Sequence, residues 1–351
     1  MEHGGDISAA MARYADQACC VGGNSAPNGA GNWLDLSTGI APVPYPFSMP
    51  SRETWSQLPQ RANLDRLLAS ARHAYAVAPD AGIVAAPGTQ SLIQLLPRLL
   101  PSRDVAILRA TYSEHKICWA RSAKSVRIVE TPGELATANV AVIVNPNNPD
   151  GQVISRDDIL TLVDQLSARS GIVIVDEAFA DISPEFSVAS ACGRDGLIVL
   201  RSFGKFYGLA GIRLGFALGP KPFIYDIANW LGPWALPGPT CEIGIEALSD
   251  TEWQANARQR YQLDARYLDA LLVRSGHRII GGTTLFRLTE HPSARAVHEA
   301  LARHQIWTRT FNDQPELLRY GLPGSRDFSR LKRALDASCE EISNSDRLTG
   351  P

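Results

Sequence analysis

The sequence predicts an α/β fold: a large domain with a mostly parallel central sheet sandwiched by helices, then a smaller α+β C-terminal domain. Three observations predict it. Short runs such as "VAVIV" and "IVIVD" are apolar at nearly every position, as strands buried on both faces are. Between them lie stretches with helical spacing, such as "DDILTLVDQLSARSG". The two kinds alternate over residues 62–235, the order that builds a parallel sheet from strand–helix units.

Three regions follow: 1–44, an arm and a segment that packs with the small domain; 45–235, the large domain; and 236–351, the small domain. Residues 1–31 are rich in Gly, Ala and Asn and read as a loosely ordered arm holding one short helix, "ISAAMARYAD". "WLDLSTGIAPVPYP" reads as an extended segment ended by prolines. In the large domain "LDRLLASARHAYAV" is helical, and "AGIVAAPGTQSLIQLLPRLL" is a strand, a Pro-Gly turn and a helix. "VAILRATYSEHKICWARSA" repeats strand then helix, and "VAVIVNPNNPDG", "IVIVDEAFAD" and "GLIVLRSFGKF" are strands with polar ends. The small domain opens on a long helix, "DTEWQANARQRYQLDARYLDALLVRSG". Strands follow at "HRIIGGTTLFRLTE", "IWTRTF" and "LLRYGL", with helices at "SARAVHEALARH" and "SRDFSRLKRALDASCEEIS".

Bulk properties exclude several classes. The 351 residues, 45% hydrophobic and 20% charged, have the profile of a soluble globular protein. A net charge of -2 argues for neither a nucleic-acid nor a membrane-surface partner. No apolar run reaches the roughly 20 residues that a membrane helix needs, and the start lacks the pattern of a secretory signal. Cys19, Cys20, Cys118, Cys192, Cys241 and Cys339 show no C-x-x-C spacing and read as reduced thiols of a cytoplasmic protein. The histidines lack metal-ligand spacing, so no metal is expected.

Ligands of parallel α/β sheets bind outside the carboxyl ends of the strands. Those ends here carry Gly88, Thr89 and Gln90; Tyr112; Asn148; Asp176; and Ser202 with Lys205. Taken singly, Thr89 is a helix cap, Asn148 a turn former, Asp176 a cap, Tyr112 packing and Lys205 a surface lysine. Together they match pyridoxal phosphate. Its aldehyde needs an amine, Lys205, for a Schiff base. Its phosphate needs the N–H groups of the helix opening at Gly88, the Ser202 hydroxyl and the Arg213 fork. Its ring nitrogen needs a carboxylate, Asp176; its 3′-oxygen a donor, Asn148; its ring face a flat partner, Tyr112.

With these residues in place, the sequence resembles the fold-type I, class I/II aminotransferase superfamily over nearly its whole length. The resemblance rests on S-x-x-K at Ser202–Lys205, Arg213 eight residues later, "NNPDG", "DEAF" and "LLRYGLP". Within it, the sequence resembles the branch holding histidinol-phosphate aminotransferase and the threonine-phosphate decarboxylase of cobalamin biosynthesis, and "HGGD", "DLSTGIAP" and Phe179 favour the decarboxylase. The resemblance implies the fold type I transferase architecture, a homodimer, and a small phosphorylated amino acid as substrate. It assigns the α-carboxylate to Arg319, the distal phosphate to Arg309 and His3, and further substrate contact to Asn148 and Gly39. Gly39 stands where that branch often has asparagine, Leu58 where relatives carry a tyrosine, and Asp150 where threonine is usual. Decarboxylation of L-threonine O-3-phosphate is the expected activity, with aminotransfer as its rival. A binding module without activity and a nucleotide-binding protein are more distant readings.

Overall fold

The computed structural model describes residues 4–14, 33–101 and 103–348. His3, Cys19 and Cys20 lie outside the described residues. Close approaches divide the chain into two units, Pro44–Ala255 and a smaller one that joins Met1–Val43 to Asn256–Pro351.

The larger unit is built on a seven-stranded sheet. Its spatial order is Ala81–Ala86, Gly215–Pro220, Leu197–Ser202, Ile172–Asp176, Val140–Val144, Asp104–Leu108 and Ser125–Val129. Gly215–Pro220 runs antiparallel to both its neighbours. The other neighbouring strands pair in parallel. Alternate side chains fill the two faces. Val105, Ile107, Val140, Val142, Ile198 and Leu200 pack with the helices Thr89–Leu99, Ser113–Trp119 and Lys221–Leu231. The opposite set, including Ala141, Ile143, Val173 and Val175, is also buried, and helix Arg156–Ser167 lies against Ile172–Asp176. Burial on both faces is why these strands read as unbroken apolar runs; each fully buried Val or Ile contributes roughly 1.5–3 kcal/mol.

Two strands carry no sequence signal of this kind. Ser125–Val129 is the sheet edge, and its Arg127 and Ile128 are exposed. Gly215–Pro220 has glycines at both ends of a weak strand pattern. Those glycines answer to close approach, since a Cβ on Gly215 would sit 2.5 Å from the amide nitrogen of Thr89. The small domain also begins later than 236. Helix Gly238–Ser249 belongs to the larger unit and packs on helix Arg61–Ala74. A Cβ on Gly244 would stand 2.8 Å from Leu67 and Leu214, so the close seat of this helix requires glycine there.

The smaller unit holds a four-stranded antiparallel sheet ordered Arg309–Thr310, Leu317–Gly321, Phe286–Glu290 and Arg278–Thr283. "IWTRTF" is two strands rather than one. Ile306–Trp307 pairs in parallel with Leu34–Asp35, while Arg309–Thr310 joins the antiparallel sheet. Thr308 between them is buried, its hydroxyl 2.7 Å from Nδ1 of His298.

Two buried histidines of this unit tie stability to pH. Nδ1 of His277 lies 3.0 Å from the Thr289 hydroxyl and its Nε2 lies 3.2 Å from that of Tyr320. Burial, then the nearby His291, pushes His277 down to about 3. Burial, then Arg13, pushes His298 down to about 4. Below the unfolded value of about 6.5 the unfolded chain takes up protons that the folded chain refuses. Stability is therefore complete above that value and falls as pH drops beneath it. Thermal unfolding should show a loss from pH 7 to pH 5 of about 2 kcal/mol for each histidine. The loss should be smaller in His298→Gln; equal slopes in the two proteins contradict the assignment.

Candidate active site

The parallel strands of the larger unit all end at one edge. After Ala86 the chain turns at Gly88, whose φ of 79° lies in the left-handed region. Helix Thr89–Leu99 starts there with no side-chain cap. Its first amides and its dipole make this end attractive to an anion. A Cβ on Gly88 would stand 2.7 Å from Nη2 of Arg213, so the glycine leaves a cradle for the guanidinium. Arg213 itself takes φ 54°, ψ 57°, and its Nη1 donates to the Ala210 carbonyl at 3.3 Å.

Asp176 closes strand Ile172–Asp176 and is 3% exposed. Its Oδ2 accepts from Nε2 of His115 at 2.9 Å, and its Oδ1 accepts from the amide of Ala178 at 3.1 Å. Two donors thus fix the carboxylate. His115 and Tyr112 sit three residues apart at the start of helix Ser113–Trp119, with rings nearly perpendicular at 6.2 Å. The Tyr112 hydroxyl donates to Oε1 of Gln90 at 3.2 Å, and Nε2 of Gln90 donates to Oε2 of Glu114 at 2.6 Å. Burial, with Glu114 and Asp176 adding negative charge, pushes the Tyr112 phenol up to about 12. It therefore keeps its proton at neutral pH.

The asparagine turn after Val144 is pinned by Asn147. Its Nδ2 donates to the Ala110 carbonyl at 2.9 Å and to Asp150 Oδ1 at 2.8 Å, while its Oδ1 accepts from the Thr111 hydroxyl at 2.8 Å. Asp150 also accepts from the Gln152 amide at 3.0 Å. The residue that replaces threonine thus holds the turn, and half-buried Asn148 stands between these anchors.

Lys205 lies on the one-turn helix Phe203–Phe206, directly after Ser202 and its strand. Phe203 stacks on Tyr207 at 4.3 Å, and Tyr207 stacks on Trp253 at 5.6 Å, with Tyr45 edge-on to both. A Cβ on Gly204 would meet the Ala210 backbone at 2.7 Å. Aromatic packing on one side and this contact on the other fix the backbone that carries the amine.

Two supports had no role assigned to them from the sequence. His115 is one, although its i,i+3 relation to Tyr112 was a usable signal. The other is Arg201, buried beside Ser202. Its Nη1 donates to Glu177 at 2.8 Å, its Nη2 donates to Asp181 at 2.6 Å, and its guanidinium lies 4.3 Å from the centroid of the Tyr75 ring. Burial works against that charge, but Asp181 and Glu177 more than offset it and raise its pKa.

The smaller unit places Arg319 and Arg309 opposite one another on neighbouring strands. Arg319 is 8% exposed, and Nη2 donates to the Ser37 carbonyl at 2.6 Å. Burial, then Arg309, lowers its pKa to about 10. A cavity of about 600 Å³ is lined by Gly4, Arg13, Ser37, Arg295 and Arg309, among others. Gly39 is buried close by in sequence.

The residues of the larger unit fit pyridoxal phosphate. They bring an amine, a carboxylate held by two donors, a flat ring, and a guanidinium cradled at a helix start. The profile of the family described as Aminotransferase class I and II matches residues 58–336. The chain is 41% identical over 340 residues to a threonine-phosphate decarboxylase from Sinorhizobium sp, covering 95% of this chain and 97% of the relative. It is 40% identical over 341 residues to one from Pseudomonas aeruginosa, with the same two coverages. The solved histidinol-phosphate aminotransferase from Sinorhizobium meliloti, in complex with pyridoxal-5'-phosphate, is similar at a TM-score of 0.77 and 16% identity, covering 92% of this chain and 96% of that one.

His115→Leu removes a hydrogen bond to a buried carboxylate. The dissociation constant for pyridoxal phosphate should rise about 10-fold while the far-ultraviolet circular dichroism stays unchanged. An unaltered constant contradicts the role given to His115.

Proposed function

The chain belongs to the class I and II aminotransferase family, and from that membership we propose that it decarboxylates L-threonine O-3-phosphate to (R)-1-amino-2-propanol O-2-phosphate. The cofactor is pyridoxal phosphate, and the product serves cobalamin assembly. The near-full-length likeness to threonine-phosphate decarboxylases carries this reading.

Each residue has work to do. Lys205 would carry the cofactor on its amine. Arg213, Ser202 and the amides from Thr89 would hold its phosphate. Asp176, fixed by His115, would accept from its ring nitrogen, Asn148 would donate to its 3′-oxygen, and Tyr112 would lie against its face. When bound, the cofactor withdraws electrons from the substrate α-carbon and weakens whichever bond stands perpendicular to its ring. The residues that grip the substrate therefore choose the reaction. Arg319 would take the α-carboxylate and Arg309, with His3, the distal phosphate, near Gly39. Held so, the bond to the carboxylate would be the one that breaks, releasing CO2. The Lys205 amine would then return a proton to the α-carbon.

We also read the protein as a cytoplasmic homodimer. The larger unit exposes Met49, Trp55, Leu58, Tyr225, Trp230 and Trp234, apolar surface of the kind that a subunit partner covers. Tyr225 and Trp234 line a groove of about 670 Å³. Among the described residues Cys118, Cys192, Cys241 and Cys339 are free thiols, and no helix is long and apolar enough to cross a membrane.

The test is an assay of the cofactor-loaded protein, purified as a species of twice the chain mass, with L-threonine O-3-phosphate. Expected is CO2 released in a one-to-one ratio with aminopropanol phosphate. No CO2, with glutamate formed from 2-oxoglutarate and histidinol phosphate, would replace decarboxylation by aminotransfer. A species of single chain mass would remove the dimer.

A further inference from the structure

The segment after Leu34 carries Ser37, which is 1% exposed. Asp35 Oδ1 accepts from both the amide of Ser37 at 2.8 Å and its hydroxyl at 2.6 Å. With its proton so placed, the Ser37 oxygen accepts from the amide of Gly5 at 2.9 Å. The Ser37 carbonyl accepts from Nη2 of Arg319. A Cβ on Gly4 would come within 2.4 Å of that same carbonyl oxygen, and Gly5 takes φ 96°. Gly4 and Gly5 thus seat a backbone against Ser37 that no side chain would allow. The Arg319 guanidinium lies 5.3 Å from the centroid of the Phe286 ring. Arg309 stands beside it as a like charge, and Asp35 opposes that charge.

We propose that Asp35, acting through Ser37, is a positioning residue for Arg319, and that it couples the seating of Gly4–Gly5 to the placement of that guanidinium. The inference rests on the reading above that Arg319 takes the substrate carboxylate. Asp35 touches no substrate. It fixes the two polar groups of Ser37, and the Ser37 carbonyl then directs one of the five guanidinium N–H donors. A carboxylate site built on Arg needs its fork aimed, because two parallel hydrogen bonds form only in one orientation. A misaimed fork loses hydrogen bonds that hold the bound substrate throughout the reaction, so the cost falls on binding more than on rate.

The sign of the effect separates positioning from simple charge. If Asp35 acted only through its charge, its removal would make the site more positive and tighten anion binding. If it aims Arg319, its removal weakens binding. The experiment measures kcat and KM for L-threonine O-3-phosphate in Asp35→Asn, Ser37→Ala and Arg319→Lys. Alongside, calorimetry gives the Kd of the same compound for each protein after borohydride reduction of the loaded cofactor, where no turnover occurs. Expected is a KM and Kd raised about 10-fold in Asp35→Asn with kcat changed less than about 3-fold, and a rise of about 3-fold in Ser37→Ala, which keeps the carbonyl. An unchanged or lowered Kd in Asp35→Asn, with a raised one in Arg319→Lys, overturns the proposal and leaves the function standing. An unchanged Kd in Arg319→Lys overturns the carboxylate assignment itself. Should Asp35→Asn not fold, an unchanged Kd in Ser37→Ala overturns the proposal alone.

Discussion

Parallel strands must all end at one edge, and the candidate site depends on that constraint. Strands Ala81–Ala86, Asp104–Leu108, Val140–Val144, Ile172–Asp176 and Leu197–Ser202 point the same way. Residues far apart in sequence, from Gly88 to Lys205, therefore emerge together. The apolar burial that orients the strands needs no polar group, so the strand ends are free to carry chemistry. The fold supplies the edge, and the sequence furnishes it.

Holding the edge rigid is a separate task, and buried charge does it. Arg201 joins Glu177 and Asp181. Glu177 follows Asp176, and Arg201 precedes Ser202. The bridge thus ties the strand end bearing the carboxylate to the strand end leading to Lys205. Ser187 also donates to Glu177 at 2.6 Å. Burying such a cluster adds little net stability, because desolvation cancels most of the attraction. Its value is geometric, since it pairs the three buried charges with one another. His115 treats Asp176 in the same way, and Asp35 with Ser37 treats Arg319. In the last two cases a polar neighbour holds, by a hydrogen bond, the residue to which the proposal gives a ligand.

That division explains what could be read from the sequence. The strands with both faces buried were legible, because "VAVIV" and "IVIVD" leave no polar position to mislead. Residues at their ends were legible as strand-end residues, because the apolar runs stop at them. Ser125–Val129 was not, because an edge strand exposes Arg127 and Ile128. Gly215–Pro220 was not, because Gly215 serves close approach to Thr89, and Gly219 to the Leu197 carbonyl, rather than strand propensity. The start of the small domain was misplaced because Gly238–Ser249 looks like any apolar helix, and only packing on Leu67 and Leu214 assigns it to the larger unit. The aiming residues were silent for a different reason. Arg201 and Asp35 act through distances, and no composition or period records a distance; His115 left only its spacing from Tyr112.

The proposed function makes the amine of Lys205 the point of cofactor attachment. The most direct measurement loads the protein with pyridoxal phosphate, reduces it with borohydride, and locates the label by peptide mass spectrometry. Expected is label on the peptide bearing Lys205 and on no other lysine, with none retained by Lys205→Ala. Label elsewhere, or equal label in the variant, contradicts the site as described.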